Sequence, residues 1–139
     1  MNIARFILAT VAAWLVIMLF GVIWGEVLFA EWYNEWMVYV EKPNVSVPYF
    51  MIVHSMRAMV FVYVYHMLYK GGKPILKGLK FGFLMGILTG LTATGYYVDF
   101  NIQAPEWVVL EFFFNIIRAL LVGVTVALII GERNREPIS

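Results

Sequence analysis

Residues 107–130 read WVVLEFFFNIIRALLVGVTVALII, an apolar run that contains the charged residues Glu111 and Arg118 and the amide Asn115. The run is longer than the about 20 residues that an α-helix needs to cross the hydrocarbon core of a bilayer. Charged side chains inside such a helix are costly to insert, so we expect them to face other helices or a cavity. This stretch therefore predicts a transmembrane helix and a polar site within the membrane.

Three further segments have the same apolar character, at about residues 3–25, 47–69 and 79–98. The first of them continues into Glu26 without the small-residue cleavage site of a signal peptide, which predicts that it is retained as a helix. The sequence thus predicts an all-α fold, a transmembrane four-helix bundle that forms a single membrane domain over residues 1–139.

The composition indicates the same environment. Hydrophobic residues make up 63% of the chain and charged residues 14%, whereas about 25% of the residues in soluble domains are charged. Mean hydropathy is +0.82. The net charge of +1 gives no reason to expect a nucleic-acid partner. Because the chain has no cysteine, disulfides, thiol catalysis and cysteine-bound metals are excluded.

The basic residues predict the orientation in the membrane. They concentrate in the loop between the second and third spans and near the two chain ends: Lys70, Lys73, Lys77, Lys80, Arg5, Arg133 and Arg135. The other two loops contain Lys42 as their basic residue. Because positively charged loops stay in the cytoplasm, we expect both termini to be cytoplasmic.

An amphipathic pattern occupies the first outer loop. Its apolar and aromatic residues recur at helical spacing: Phe29, Trp32, Tyr33, Trp36, Met37 and Val40. This predicts a short interfacial helix on the outer membrane surface. Two roles stay open, a cap that anchors the first span, or a lid or docking surface for a partner.

Polar residues in the second and fourth spans are predicted to meet. Both spans run in the same direction, and at about 1.5 Å per residue His54 and Arg57 overlap in depth with Glu111, Asn115 and Arg118. We expect Glu111 to pair with Arg57 between helices. Arg118 then lacks a charged partner at its own depth, unless Asn115 or water bridges it to Glu111.

Candidate partners for Arg118 are Glu26 or Asp99 reached toward the outer side, a bound anion, or another polypeptide. If the two hairpins arose by duplication, Glu26 and Asp99 would lie at the outer mouth of this cluster. The predicted ligand-binding set therefore contains His54, Arg57, Glu111, Asn115, Arg118, Glu26 and Asp99. Three interpretations stay open: ion pairs that fix the helix register, a site for a ligand or lipid headgroup, and a contact between subunits. Two arginines favour an anionic or carboxylate-bearing ligand.

Two functions from different classes follow from this cluster. The first is binding or transport of an anionic or carboxylate-bearing small molecule or lipid, by a protein that forms a homo-oligomer. The alternative is an accessory or assembly subunit of a larger membrane protein complex, with Arg118 paired to an acid of the partner subunit.

An enzyme is less favoured by the sequence, and we assign no catalytic residue. There is no HExxH motif and no phosphate-binding loop, and Ser55 points about 100° away from His54 on a helix. His54 and His66 lie about 18 Å apart along one helix, too far to hold one haem or metal ion together. We therefore predict no cofactor and no metal site.

Small residues four apart predict close helix contacts. Gly82, Gly86 and Gly90 follow this spacing in the third span, and Gly21 and Gly25 follow it at the end of the first. Such spacing lets helix backbones approach closely in lipid, within one chain or between copies.

A short similarity between two spans suggests an internal duplication. His54-x-x-Arg57-Ala58 in the second span resembles Asn115-x-x-Arg118-Ala119 in the fourth. Two hairpins of the same orientation would be parallel repeats about an axis along the membrane normal. Chance similarity between apolar sequences is the alternative.

Residues 21–29, GVIWGEVLF, with Trp32 and Trp36 beyond them, resemble a stretch of small bacterial four-helix membrane proteins of unknown function. The first helix of those proteins ends in a G-x-x-W-Y-S-P-x-x-F-like run, and this chain has Gly25, Glu26 and Val27 at the Tyr, Ser and Pro positions. Residues 97–101 are similar to a stretch of a second such family. The resemblance implies a four-helix architecture and a prokaryotic inner membrane, and it implies no activity.

Overall fold

A computed structural model describes residues 2–37, 46–99 and 105–131, and all of its regular elements are helical. The elements are α1 (Ile3–Val22), a π-helical segment (Ile23–Leu28), α2 (Ala30–Met37), α3 (Val47–Leu68), α4 (Pro74–Asp99) and α5 (Pro105–Gly131). Four of the helices, α1 with its π-helical extension, α3, α4 and α5, are long and apolar enough to cross a membrane. The predicted all-helical architecture with four long apolar helices is therefore confirmed, and it fits a multi-pass membrane protein.

Local sequence signals set where the helices begin. Asn2 caps α1, because its side-chain oxygen accepts hydrogen bonds from the backbone N–H groups of Ala4 and Arg5 at 3.0 and 3.4 Å. Pro74 and Pro105 are the first residues of α4 and α5, where the missing N–H of proline costs no helical hydrogen bond. For this reason α4 begins at Pro74, ahead of the predicted start of the third span at residue 79.

A tight loop joins α3 to α4. Gly71 and Gly72 have φ angles of 94° and 100°, a region that glycine adopts without steric cost. The Tyr69 hydroxyl lies 2.9 Å from the Gly72 carbonyl oxygen and 3.4 Å from that of Gly131, at the end of α5. The hydroxyl thereby ties this loop to α5.

Glycines of α4 allow its backbone to lie directly on α5. A Cβ atom at Gly82 would overlap the Ala119 carbonyl, and one at Gly86 would lie 2.7 Å from the Cα atom of Ile116. The predicted close packing of the α4 glycines is therefore found within one chain. Gly21 differs, since a Cβ atom there would meet nothing within 4 Å.

The core lies where α1 packs against α3 and α5. Its fully buried members come from these three helices, and all except Tyr65 are small or branched: Ala9, Ala13, Ala58, Val62, Tyr65, Val122, Val126 and Ala127. Small residues let the helices approach closely, which is the main source of attraction between helices in a membrane.

The hairpin of α1 and α3 and the hairpin of α4 and α5 do not pack symmetrically. α1 packs along α5, but α4 makes few contacts with α3 among the described residues. The rings of Phe61 and Tyr65 on α3 meet Phe81 on α4, with centroids 4.8 and 5.3 Å apart. Beyond these rings, away from the Gly71–Gly72 loop, a cavity separates the two helices.

Candidate functional site

This cavity has a volume of about 460 Å³ and is lined by three helices. Its lining residues come from α3, α4 and α5: Arg57, Thr89, Thr92, Ala93, Glu111, Phe114, Asn115 and Arg118. Arg57, Glu111, Asn115 and Arg118 belong to the set predicted from sequence. Two basic groups and one acidic group thus meet inside the region that the long apolar helices form.

Arg118 is buried on α5, with 9% of its surface exposed. Its Nη2 atom donates a hydrogen bond of 2.6 Å to Asn115 Oδ1, and its guanidinium carbon lies 4.5 Å from the centroid of the Phe114 ring. A desolvated cation over an aromatic face gains about 0.5–2 kcal/mol. Both partners stand three or four positions before Arg118, on the same face of the helix.

Asn115 and Glu111 continue this chain of hydrogen bonds. Asn115 Nδ2 donates to the Glu111 carbonyl oxygen at 2.8 Å and lies 3.5 Å from Glu111 Oε2. Tyr33 on α2 donates from its hydroxyl to Glu111 Oε1 at 2.9 Å. Asn115 therefore bridges Arg118 to Glu111. This is one of the two bridges, Asn115 or water, that the sequence analysis named for these residues.

Arg57 has a different environment. It makes no hydrogen bond or ion pair with another described residue, although it shares the cavity with Glu111. The expected Glu111–Arg57 ion pair is thus not formed, and the carboxylate of Glu111 instead accepts hydrogen bonds from Tyr33 and Asn115. Of the two arginines in the cavity, Arg118 is hydrogen-bonded within its own helix, and Arg57 is not hydrogen-bonded to any described residue.

Two other residues of the predicted set, His54 and Glu26, do not line the cavity within the described chain. His54 lies one turn before Arg57, packs its ring 4.3 Å from that of Phe50, and has a buried Nδ1 atom without a hydrogen-bond partner. Glu26 is exposed in the π-helical segment. The Asp99 side chain lies outside the part of the chain that the structure describes.

Tyr33 is the functional side chain that sequence reasoning did not assign to the cluster. It lies on the predicted amphipathic stripe, but helical spacing does not reveal which helix the stripe contacts. The π-helical segment leads into this contact: the Phe29 N–H donates to the Trp24 carbonyl at 3.0 Å, and the Trp24 ring packs 5.4 Å from that of Phe114 on α5. The Tyr33 ring also packs edge-on against Trp107 at 4.7 Å.

Among the described residues, no group of three or more His, Asp or Glu side chains could hold a metal ion. Asn115, Thr89 and Thr92 donate their hydrogen bonds within the protein, so the donors that the described lining offers to a ligand are the guanidinium groups of Arg57 and Arg118.

No family model, curated protein or solved structure matches this chain. Its function is thus inferred from the chemistry of the cavity.

Proposed function

We propose that the cavity between α3, α4 and α5 binds the carboxylate or phosphate group of a small molecule or lipid, so that the protein binds or transports an anionic compound in the membrane. One observation carries this proposal. Arg57 and Arg118 line the same cavity together with one carboxylate, that of Glu111, so the cavity has one more basic group than acidic groups among its described lining residues.

The energetic cost of the arginines supports an anionic ligand. An arginine near the middle of a transmembrane helix costs about 2.5–3.5 kcal/mol on insertion scales. Arg118 recovers part of that cost through Asn115 and Phe114. Arg57 has no such contact among the described residues, and its charge lies in one cavity with that of Arg118. An anion placed between the two guanidinium groups would offset both the desolvation and the repulsion.

The two threonines of the lining donate hydrogen bonds within their own helix. Thr89 Oγ1 donates to the Met85 carbonyl at 2.9 Å, and Thr92 Oγ1 donates to the Leu88 carbonyl at 2.8 Å. Their hydroxyl protons are therefore engaged within α4. Arginine presents several N–H donors in a planar fork that matches carboxylate and phosphate oxygens. The volume of the cavity falls within the usual range of about 300–1,000 Å³ for ligand sites.

The setting of this site is part of the proposal. We place the four long helices across a bilayer, taken to be a prokaryotic inner membrane, with both termini cytoplasmic and α2 as an interfacial helix on the outer surface. The concentration of lysine around the α3–α4 loop supports this orientation. The contact of Tyr33 with Glu111 supports a position of α2 over one end of the cluster.

Thermal unfolding in a neutral detergent tests the proposal with two soluble probes, inorganic phosphate and acetate, against chloride at equal ionic strength. A ligand that binds only the folded protein raises its stability with concentration. We expect phosphate or acetate to raise the melting temperature of the wild type and to have little effect on Arg57→Gln.

Lys80→Gln is the matched control, since Lys80 is an exposed residue of α4 and its loss changes the net charge equally. It should respond like the wild type. Equal responses of the wild type and Arg57→Gln would contradict the proposal.

A subunit role remains the alternative, because a carboxylate of another polypeptide could neutralise Arg57 in the same way. This alternative predicts a stable complex with a second protein and no response to soluble anions.

A further inference from the structure

The cavity has one side that no described helix covers. α5 forms its back, while Arg57 on α3 and Thr89, Thr92 and Ala93 on α4 form its walls. α3 and α4 meet through Phe81 at the end near the Gly71–Gly72 loop and make few other contacts. The gap between α3 and α4 is therefore a lateral opening, directed at the surroundings of the helices.

Side chains at this opening connect the cavity to an apolar surface. Thr92 both lines the cavity and is exposed, so the cavity reaches the surface on α4. Leu88, one turn before Thr92 on the same face, is 59% exposed. On α3, Val53 and Val60 flank Arg57 at positions i−4 and i+3 and are also exposed. Arg118 at the back, Arg57 in the α3 wall and hydrocarbon side chains at the rim match an anionic head joined to an apolar tail.

The end of the cavity near α2 is more closed than this side. Tyr33 donates to Glu111, which lines the cavity, and its ring packs against Trp107 on α5. An anion that arrives along the helix axes from the α2 end would have to pass these contacts, whereas the side between α3 and α4 is open in the described chain.

On the basis of the anion site proposed above, we propose that its ligand is an amphiphile that enters from the bilayer between α3 and α4. Its carboxylate or phosphate head lies between Arg57 and Arg118, and its hydrocarbon tail remains in the gap beside Leu88 and Val60. The ligand thus belongs to the anionic lipids or fatty acids of the membrane.

Photolabelling with a phosphatidic acid that carries a diazirine in its acyl chain tests this assignment. The protein is placed in phosphatidylcholine nanodiscs with a small fraction of the probe, irradiated, and mapped by mass spectrometry. We expect labels to concentrate on the rim residues Val60 and Leu88 and to fall about tenfold in Arg57→Gln, the loss expected when a charge-assisted hydrogen bond is removed. Lys80→Gln should label like the wild type.

Leu88→Gln provides a second variant, because it makes the exposed rim polar and leaves every residue that lines the cavity in place. It should reduce the labels at Val60 and keep the phosphate-induced rise in melting temperature.

The two experiments separate the two proposals. If phosphate stabilises the protein through Arg57 but the labels spread equally over exposed leucines of α1, such as Leu15 and Leu19, lateral lipid entry is wrong and the anion site stands. If neither phosphate stabilisation nor labelling depends on Arg57, both proposals fail.

Discussion

Arg57 and Arg118 line one cavity and have the same charge, but the contacts that their own helices provide are different. Arg118 has Phe114 and Asn115 on its face of α5, so its charge is partly compensated before any ligand arrives. The helix that carries Arg57 offers it no such partner among the described residues. In the proposed site, Arg118 is therefore a residue that its own helix holds in place. Arg57 is the residue whose charge the ligand would neutralise.

The bridge formed by Asn115 gives a prediction for stability. Asn115→Leu keeps the approximate size of the side chain, but removes the acceptor of Arg118 and a donor to Glu111. Because a buried charged group loses its hydrogen bond, we expect a loss of about 1–3 kcal/mol in the free energy of unfolding, measured by denaturation in mixed micelles.

Thr125→Val is the control for this change. The Thr125 hydroxyl donates only to the Leu121 carbonyl one turn earlier, a local bond that also lies within α5. Its loss should leave the unfolding curve almost unchanged. Equal stability of Asn115→Leu and the wild type would show that the bridge does not support Arg118.

Among the helices, α4 and α5 form the closest pair, and their contact depends on glycine. Gly82 faces the Ala119 carbonyl and the Cα atom of Leu120, so an added Cβ would collide with backbone that cannot rotate away. We expect Gly82→Ala to lower the melting temperature, since overpacking usually costs about 1–3 kcal/mol.

Gly95→Ala is the same substitution on the same helix at a place where the new Cβ meets nothing within 4 Å. It should be neutral or slightly stabilising, because alanine favours a helix by up to about 1 kcal/mol over glycine. A Gly82→Ala variant that melts at or above the temperature of Gly95→Ala would contradict the close contact of α4 with α5.

Sequence patterns predicted the long helices and part of the site. Particular residues show what such patterns could not predict. The apolar runs identified the four long helices because length and composition suffice for that inference. Overlap in depth brought Arg57, Glu111, Asn115 and Arg118 together. The pairing of Glu111 was not predictable, because it depends on the direction that the chain takes after the π-helical segment, which brings Tyr33 to the carboxylate.

For the whole molecule, the proposed placement of the loops relative to the membrane rests on the distribution of charged residues and can be tested directly. The chain has no cysteine, so a single introduced thiol reports one position. Ser46→Cys, before α3, should react with an impermeant maleimide added outside intact spheroplasts, and Lys73→Cys, before α4, should react only after lysis. The reverse pattern would invert the proposed orientation.

The hairpin of α1 and α3 and the hairpin of α4 and α5 pack asymmetrically. His54–Arg57 and Asn115–Arg118 are alike in sequence, and Ala58 and Ala119 are both buried in the core. However, α1 packs along α5 while α4 stays largely apart from α3 in the described chain. Sequence similarity alone would have predicted two equal contacts. The missing one is the opening through which we expect the ligand to enter.

Occupancy of the cavity by an anionic compound held through Arg57 is the property to measure first. Native mass spectrometry of the protein released from its own membranes into mild detergent tests it most directly, with Arg57→Gln prepared in parallel. We predict that the wild type carries a defined extra mass of an anionic compound and that Arg57→Gln has lost it. The same extra mass on both proteins, or a wild type that carries only a second polypeptide, would contradict the account.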